Sequence, residues 1–196
     1  MTRTLYIGDS ILEGMSRPLF DIYLRILTPS VDFVKMESRS GWSTRRWLRE
    51  GDVLSIIKEF KPTTVVIALG TNDEGEQDNQ AGYKDVVRRL AGIAGRDGAQ
   101  VLWIAAFTGT GIQERFKLVR EVVGANAIDG SSLMSGVSMA NAIHPNQAGY
   151  ETLAMRVVEQ VIQFESTKSE GGSTVTALLI GLALGFGGMF LWEIMR

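Results

Sequence analysis

Along the first 165 positions, short runs of consecutive apolar residues alternate with longer stretches in which apolar residues return every three or four positions. The short runs cover 4–7, 31–34, 63–69, 101–107 and, more weakly, 126–128. The longer stretches cover 11–27, 44–60 with a break near Gly51, 83–95, 112–123 and 147–164. In the last of these the apolar positions are Leu153, Val157, Val161 and Phe164, a helical spacing. Val65-Val66-Ile67-Ala68-Leu69 is apolar at every position rather than at alternate ones, the pattern of a strand buried on both faces. Such strands belong to parallel sheets covered by helices on both sides. Five β–α repeats therefore predict an α/β domain, a doubly wound three-layer sandwich with a five-stranded parallel sheet. Ligands in such folds bind beyond the carboxyl ends of the strands.

The pattern changes after the domain, which is expected to span 1–165. Residues 166–173 are polar and rich in Gly and Ser, as in a flexible linker. From Val175 to Trp192 no residue is charged. As a helix this run would be about 27 Å long, close to the roughly 30 Å hydrocarbon core of a bilayer. A transmembrane helix is expected over 174–195, with Trp192 and Arg196 placed as an interfacial aromatic and a snorkelling cation. Gly181 and Gly185 form a G-x-x-x-G pair, which would let two such helices pack closely into a homo-oligomer. The N-terminal run is too short, and too soon interrupted by Asp9, for the apolar region of a signal peptide. The chain thus reads as a single-pass, tail-anchored membrane protein of a cell or virion, its N-terminal domain cytoplasmic or interior. Lys168 and Glu170 on one flank and Glu193 and Arg196 on the other give no charge bias for orientation.

Charge and composition narrow the chemistry. The 196 residues carry a formal net charge of −2, with no basic excess to neutralise phosphates, so nucleic acid is not an expected partner. Cysteine is absent and there is one histidine, which excludes the structural zinc patterns. No cofactor is expected. If an imidazole acts as a base here, it is His144, because no other exists.

His144 lies in Asn141-Ala142-Ile143-His144-Pro145-Asn146, just ahead of the final helix, and Pro145 biases it to an extended loop. Gly8-Asp9-Ser10 ends the first strand run, where a serine would be exposed at the sheet edge near a positive helix N-terminus. Taken alone, Ser and Asp there better fit an ordinary helix N-cap. Gly70-Thr71-Asn72-Asp73 follows the third run at the same edge; an asparagine amide there can donate to an oxyanion, or the segment is a plain turn. Ser40-Gly41-Trp42-Ser43 follows the second run, where Gly41 either offers a free N–H or simply makes a turn before a Ser43 cap. Asp129, at the end of the fifth run, reads as structural, and could orient the His144 imidazole only if the loop between that run and His144 folds back. Asp73, Glu74, Glu76 and Asp78 read as a solvated acidic turn rather than a metal site, and Arg45, Arg46 and Arg49 as a solvated basic face that could meet an anionic substrate or headgroup.

Taken together and in this order, G-D-S, the glycine after strand two, G-T-N-D, and H-P-N-x-x-G-Y resemble the SGNH (GDSL-type) hydrolase family over residues 4 to about 164. The resemblance implies a flavodoxin-like αβα sandwich. It implies Ser10 as nucleophile and His144 as base, with an oxyanion hole built from the Ser10 and Gly41 N–H groups and the Asn72 side chain. It also implies ester hydrolysis; with the expected linker and anchor holding the site near a bilayer, the expected substrates are small carboxyl esters, lipids or acylated glycans near a membrane or envelope. The family places an aspartate three residues before the histidine, where this chain has Asn141. An amide can still orient an imidazole, but it does not stabilise the imidazolium as an anion does. Three functions follow as expectations: a membrane-anchored serine esterase, a catalytically weak binding or structural membrane protein of the same fold, or an acyltransferase using the same site.

Overall fold

The computed structural model describes residues 2–26, 33–75 and 79–167. Five parallel strands, β1 (Arg3–Gly8), β2 (Phe33–Ser38), β3 (Thr64–Leu69), β4 (Gln100–Ala105) and β5 (Ala127–Asp129), form one sheet in the order β2-β1-β3-β4-β5. This is the flavodoxin-type order. The helices are α1 (Ser10–Ile26), α2 (Thr44–Glu50), α3 (Val53–Phe60), α4 (Gln80–Ala94), α5 (Ile112–Val123), α6 (Gly130–Leu133) and α7 (Gln147–Ser166).

Alternation of side chains along each strand divides the core into two layers. Tyr6, Val66, Ala68, Leu102 and Ile104 face one side, packed under Leu12, Met15 and Leu19 of α1 and Leu153, Val157 and Val161 of α7. Leu5, Ile7, Val65, Ile67, Leu69 and Trp103 face the other, packed under Trp47 of α2, Ile57 of α3, Val87 and Leu90 of α4 and Leu118 of α5. Register aligns the carboxyl ends: Gly8 pairs with Ser38 and Ala68, Leu69 with Ala105, and Ala105 with Asp129. The loops leaving those ends share one edge, where the candidate residues collect.

The second strand departs from expectation. The run 31–34 points to a strand several residues too early; β2 occupies Phe33–Ser38 and includes Lys35 and Glu37. As an edge strand it is only half covered, so polar residues alternate with Val34 and Met36 and no continuous apolar run marks it. The four-residue α6 is too short to leave a helical periodicity in the sequence. The predicted break near Gly51 is present, with α2 ending at Glu50 and α3 starting at Val53. Helix α7 continues to Ser166, one residue into the expected linker. No helix among the described residues is long and apolar enough to cross a membrane. The expected span over 174–195, with Gly181 and Gly185, lies outside the described residues.

Candidate active site

The turn from β1 into α1 places Asp9 and Ser10 side by side. The Ile11 N–H donates to Asp9 Oδ1 at 2.9 Å, so Asp9 is the N-cap of α1 and Ser10 its first residue. The cap reading and the nucleophile reading thus fall on neighbouring residues. As the first helical residue, Ser10 is among those whose N–H has no partner within the helix. Its Oγ lies 3.0 Å from His144 Nε2, across 134 positions of sequence. Both side chains are half-buried.

The segment bearing His144 is pinned by its own backbone. The N–H groups of Ala140 and Asn141 donate to the His144 carbonyl at 2.9 and 3.2 Å, and Met139 bridges to Pro145. Asn146 Oδ1 caps α7 by accepting from the Gly149 N–H at 2.9 Å. Gly149 is required by close approach: a Cβ there would sit 2.0 Å from the Ser138 carbonyl oxygen. Tyr150 then packs against α1 at Gly14. The motif H-P-N-x-x-G-Y is therefore one histidine with a scaffold around it.

Asn141 serves that scaffold. Its Oδ1 accepts from the N–H of Ile143 at 2.9 Å and of His144 at 2.8 Å, which holds the turn rather than the imidazole. Among the described residues His144 Nδ1 has no hydrogen-bond partner. Asp129 is occupied elsewhere, accepting from the N–H of Ser131 at 3.0 Å and from Gln113 Nε2 at 3.0 Å as the cap of α6.

Gly41 lies in a turn closed by the Trp42 N–H donating to the Arg39 carbonyl at 3.1 Å, with φ at +70°, a conformation that favours glycine. It is exposed, and among the described residues its N–H donates to no protein group. Asn72 lies between the two backbone donors. Its Nδ2 donates to Asp9 Oδ2 at 3.2 Å and to the Trp42 carbonyl at 3.3 Å, the neighbours of Ser10 and Gly41 respectively. The structure thus gathers Ser10, His144, Gly41 and Asn72 at one sheet edge, with Asn141 behind the histidine.

Two carboxylates differ from expectation or escaped it. Asp73, expected in a solvated turn, is buried; it accepts from the Thr44 N–H at 2.7 Å, from the Thr44 hydroxyl and from Tyr83 Oη at 3.0 Å. It ties the start of α2 to α4 beneath the site. Asp9 is 0 % exposed, and burial pushes its carboxyl up to about 7, with neighbouring Asp73 adding to the rise. No sequence pattern distinguishes a buried acid from a solvated one in such loops. Glu74 is exposed and accepts from Thr110; Glu76 and Asp78 lie outside the described residues. Among the described residues no cluster of acids or histidine is arranged to hold a metal.

Within the basic face Arg46 and Arg49 are exposed to solvent, and Arg46 also engages neighbouring groups. The guanidinium groups of Arg39 and Arg46 lie over the Trp42 ring at 5.7 and 4.6 Å, and Arg46 pairs with Glu50 at 2.9 Å. Trp42 meets Trp47 edge-on at 5.3 Å, and Trp47 Nε1 donates to the Gly8 carbonyl at 3.1 Å. These contacts join the Gly41 turn to the end of β1. A separate groove of about 430 Å³ between α1 and α7, flanked by Arg17, Ile22 and Glu151, does not include Ser10 or His144.

No family model and no curated protein matches the sequence. Solved structures do match. A G-D-S-L family protein from Desulfitobacterium hafniense DCB-2 superposes with a TM-score of 0.62 at 16 % identity, over 80 % of this chain and 98 % of that one. The lipase/acylhydrolase from Enterococcus faecalis gives 0.60 at 24 % identity, over 82 % and 95 %. A variant of Axe2, an acetylxylan esterase from Geobacillus stearothermophilus, gives 0.64 at 16 % identity, over 82 % and 94 %. The chain shares the fold of these three proteins. At these identities the likeness concerns the fold alone, and a fold does not fix the chemistry of its site.

Proposed function

We propose that this protein is a carboxylic ester hydrolase with Ser10 as nucleophile and His144 as general base, tethered to a membrane by its C-terminal segment. The observation that carries the reading is the 3.0 Å contact between Ser10 Oγ and His144 Nε2, at the edge where a doubly wound sheet binds its ligands. Ser10 Oγ attacks the ester carbonyl carbon while its proton passes to Nε2. The oxyanion is received by the N–H groups of Ser10 and Gly41 and by Asn72. Collapse breaks the ester C–O bond, the leaving alkoxide takes the proton from His144, and an acyl-Ser10 remains. Water then attacks the acyl carbon, gives a proton to His144 and releases the acid as Ser10 regains its hydrogen. Deacetylation of glycans by the acetylxylan esterase on this fold supports small acyl esters as one substrate class. The uncharged run 175–192 supports placing lipid esters and envelope glycans beside them. Acyl transfer to a sugar or lipid would use the same residues with a different acceptor.

A specific observation favours a second reading, a catalytically weak domain retained for binding. Asn141 Oδ1 is taken by two backbone N–H groups, and no acid meets His144 Nδ1 among the described residues. One experiment separates the two. The full chain in phospholipid vesicles is expected to stay with the vesicles through a carbonate wash. A fluorophosphonate probe is expected to label it, and Ser10→Ala to abolish both labelling and p-nitrophenyl acetate turnover. Labelling and turnover that survive in Ser10→Ala, or that are missing in the wild type, sink the hydrolase reading. Loss of the chain in the wash sinks the anchor alone.

A further inference from the structure

Asn72 has two amide hydrogens, and both are engaged in the unliganded site, by Asp9 Oδ2 and by the Trp42 carbonyl. An oxyanion donor that is fully occupied must give up one partner when the tetrahedral intermediate forms. The two partners are unequal. A hydrogen bond to a carboxylate is roughly twice as strong as one to a neutral carbonyl, and Asp9 is fully buried and held by the α1 cap. The Trp42 carbonyl instead follows exposed Gly41 in a surface turn.

We propose that Asp9 is the positioning residue of the oxyanion hole: its ionised carboxylate holds one N–H of Asn72, so that the other exchanges the Trp42 carbonyl for the substrate oxyanion. The inference rests on the serine-hydrolase reading. Capping α1 does not by itself account for Asp9, since a serine or threonine would cap the helix without burying a charge. Its second oxygen is the one that faces Asn72. An ionised carboxylate only accepts, so together with the Trp42 carbonyl it fixes the amide with nitrogen inward. A protonated Asp9 also donates, which lets the amide turn its oxygen towards Asp9 and withdraws the donor from the hole.

Burial raises the Asp9 carboxyl to about 7, so the switch falls within the neutral range. The titratable groups facing it are Asp73 from the loop after β3 and Tyr150 from α7, which also feels Glu13 of α1. His144 is reached through Ser10.

Two readouts test this. The side-chain amide resonances of Asn72 in the wild type, assigned by their loss in Asn72→Ala, are expected to shift with pH with a midpoint near 7 and to stop titrating in Asp9→Asn. This readout needs no turnover, so an inactive protein would undo the hydrolase reading and leave this measurement decisive for Asp9. The second readout is a double-mutant cycle at pH 8 on p-nitrophenyl acetate. Asn72→Ala is expected to lower kcat by about 10²–10³, as for other oxyanion donors. Asp9→Asn is expected to lower kcat by at least about tenfold with KM within about twofold, and the double variant to match Asn72→Ala within about threefold. An Asn72 amide that does not titrate in the wild type, or losses that multiply in the double variant, overturns the proposal.

Discussion

Asn141 shows how much turns on one atom. Replacing its amide nitrogen by oxygen leaves the Oδ1 bonds to Ile143 and His144 available and adds the negative charge that the imidazolium lacks. Asn141→Asp is therefore expected to raise kcat for p-nitrophenyl acetate by tenfold or more, with a ceiling of about 10⁴ set by the acid-to-amide penalty in serine proteases. An unchanged kcat would show that the absent acid does not limit the site. At this scale the sequence was legible in residue type and opaque in partnership. Ser10, Gly41, Asn72 and His144 could be picked out from their motifs. The partners of Asn141, and the burial of Asp9 and Asp73, could not, because each depends on groups brought in by other segments. Asp9 and Asn72 stand 63 positions apart, Thr44 and Asp73 29.

Among the elements, α7 and the segment before it behave as a single unit. Gly149→Ala places a methyl 2.0 Å from the Ser138 carbonyl and 2.9 Å from Pro145 Cβ, so either the helix or the His144 segment must move. We expect a loss of about 1–3 kcal/mol in urea denaturation and a fall in kcat of more than tenfold, since displacements near 1 Å cost about 10² in rate. Wild-type turnover in this variant would mean that the helix absorbs the shift and the histidine segment is independent of it. The internal strands were readable because burial on both faces leaves a continuous apolar run. The edge strand β2 was misplaced because Lys35 and Glu37 interrupt that run where one side of the sheet is uncovered.

For the molecule as a whole, a buried acid at the site has a consequence for folding. The Asp9 carboxyl rises from 3.8 in the unfolded chain to about 7 in the fold, so the native state binds the extra proton between those values. Its favourable contribution is present below pH 4 and is lost as pH rises through 7, on the order of a few kcal/mol. Urea denaturation should therefore show Asp9→Asn close to wild type at pH 4 and more stable at pH 8, while being the slower enzyme. Equal stability differences at both pH values would contradict the buried, titrating carboxyl. A charge that weakens the fold at working pH and serves the site is the trade-off expected where activity needs a strained or costly group.

The sequence by itself determined the kind and order of the elements other than the short α6, through the periodicity of buried positions, and the residue types available for chemistry, down to a single imidazole. It also set the expectation of an anchor after the domain, by the length of an uncharged run. Only the tertiary structure decided which groups meet. The parallel sheet brings the carboxyl ends of β1 and β3 to one edge, and the packing of α7 on α1 carries His144 to Ser10 across 134 positions. Local pattern governs local backbone, whereas burial and hydrogen-bond partnership arise from long-range contacts that no window of sequence contains.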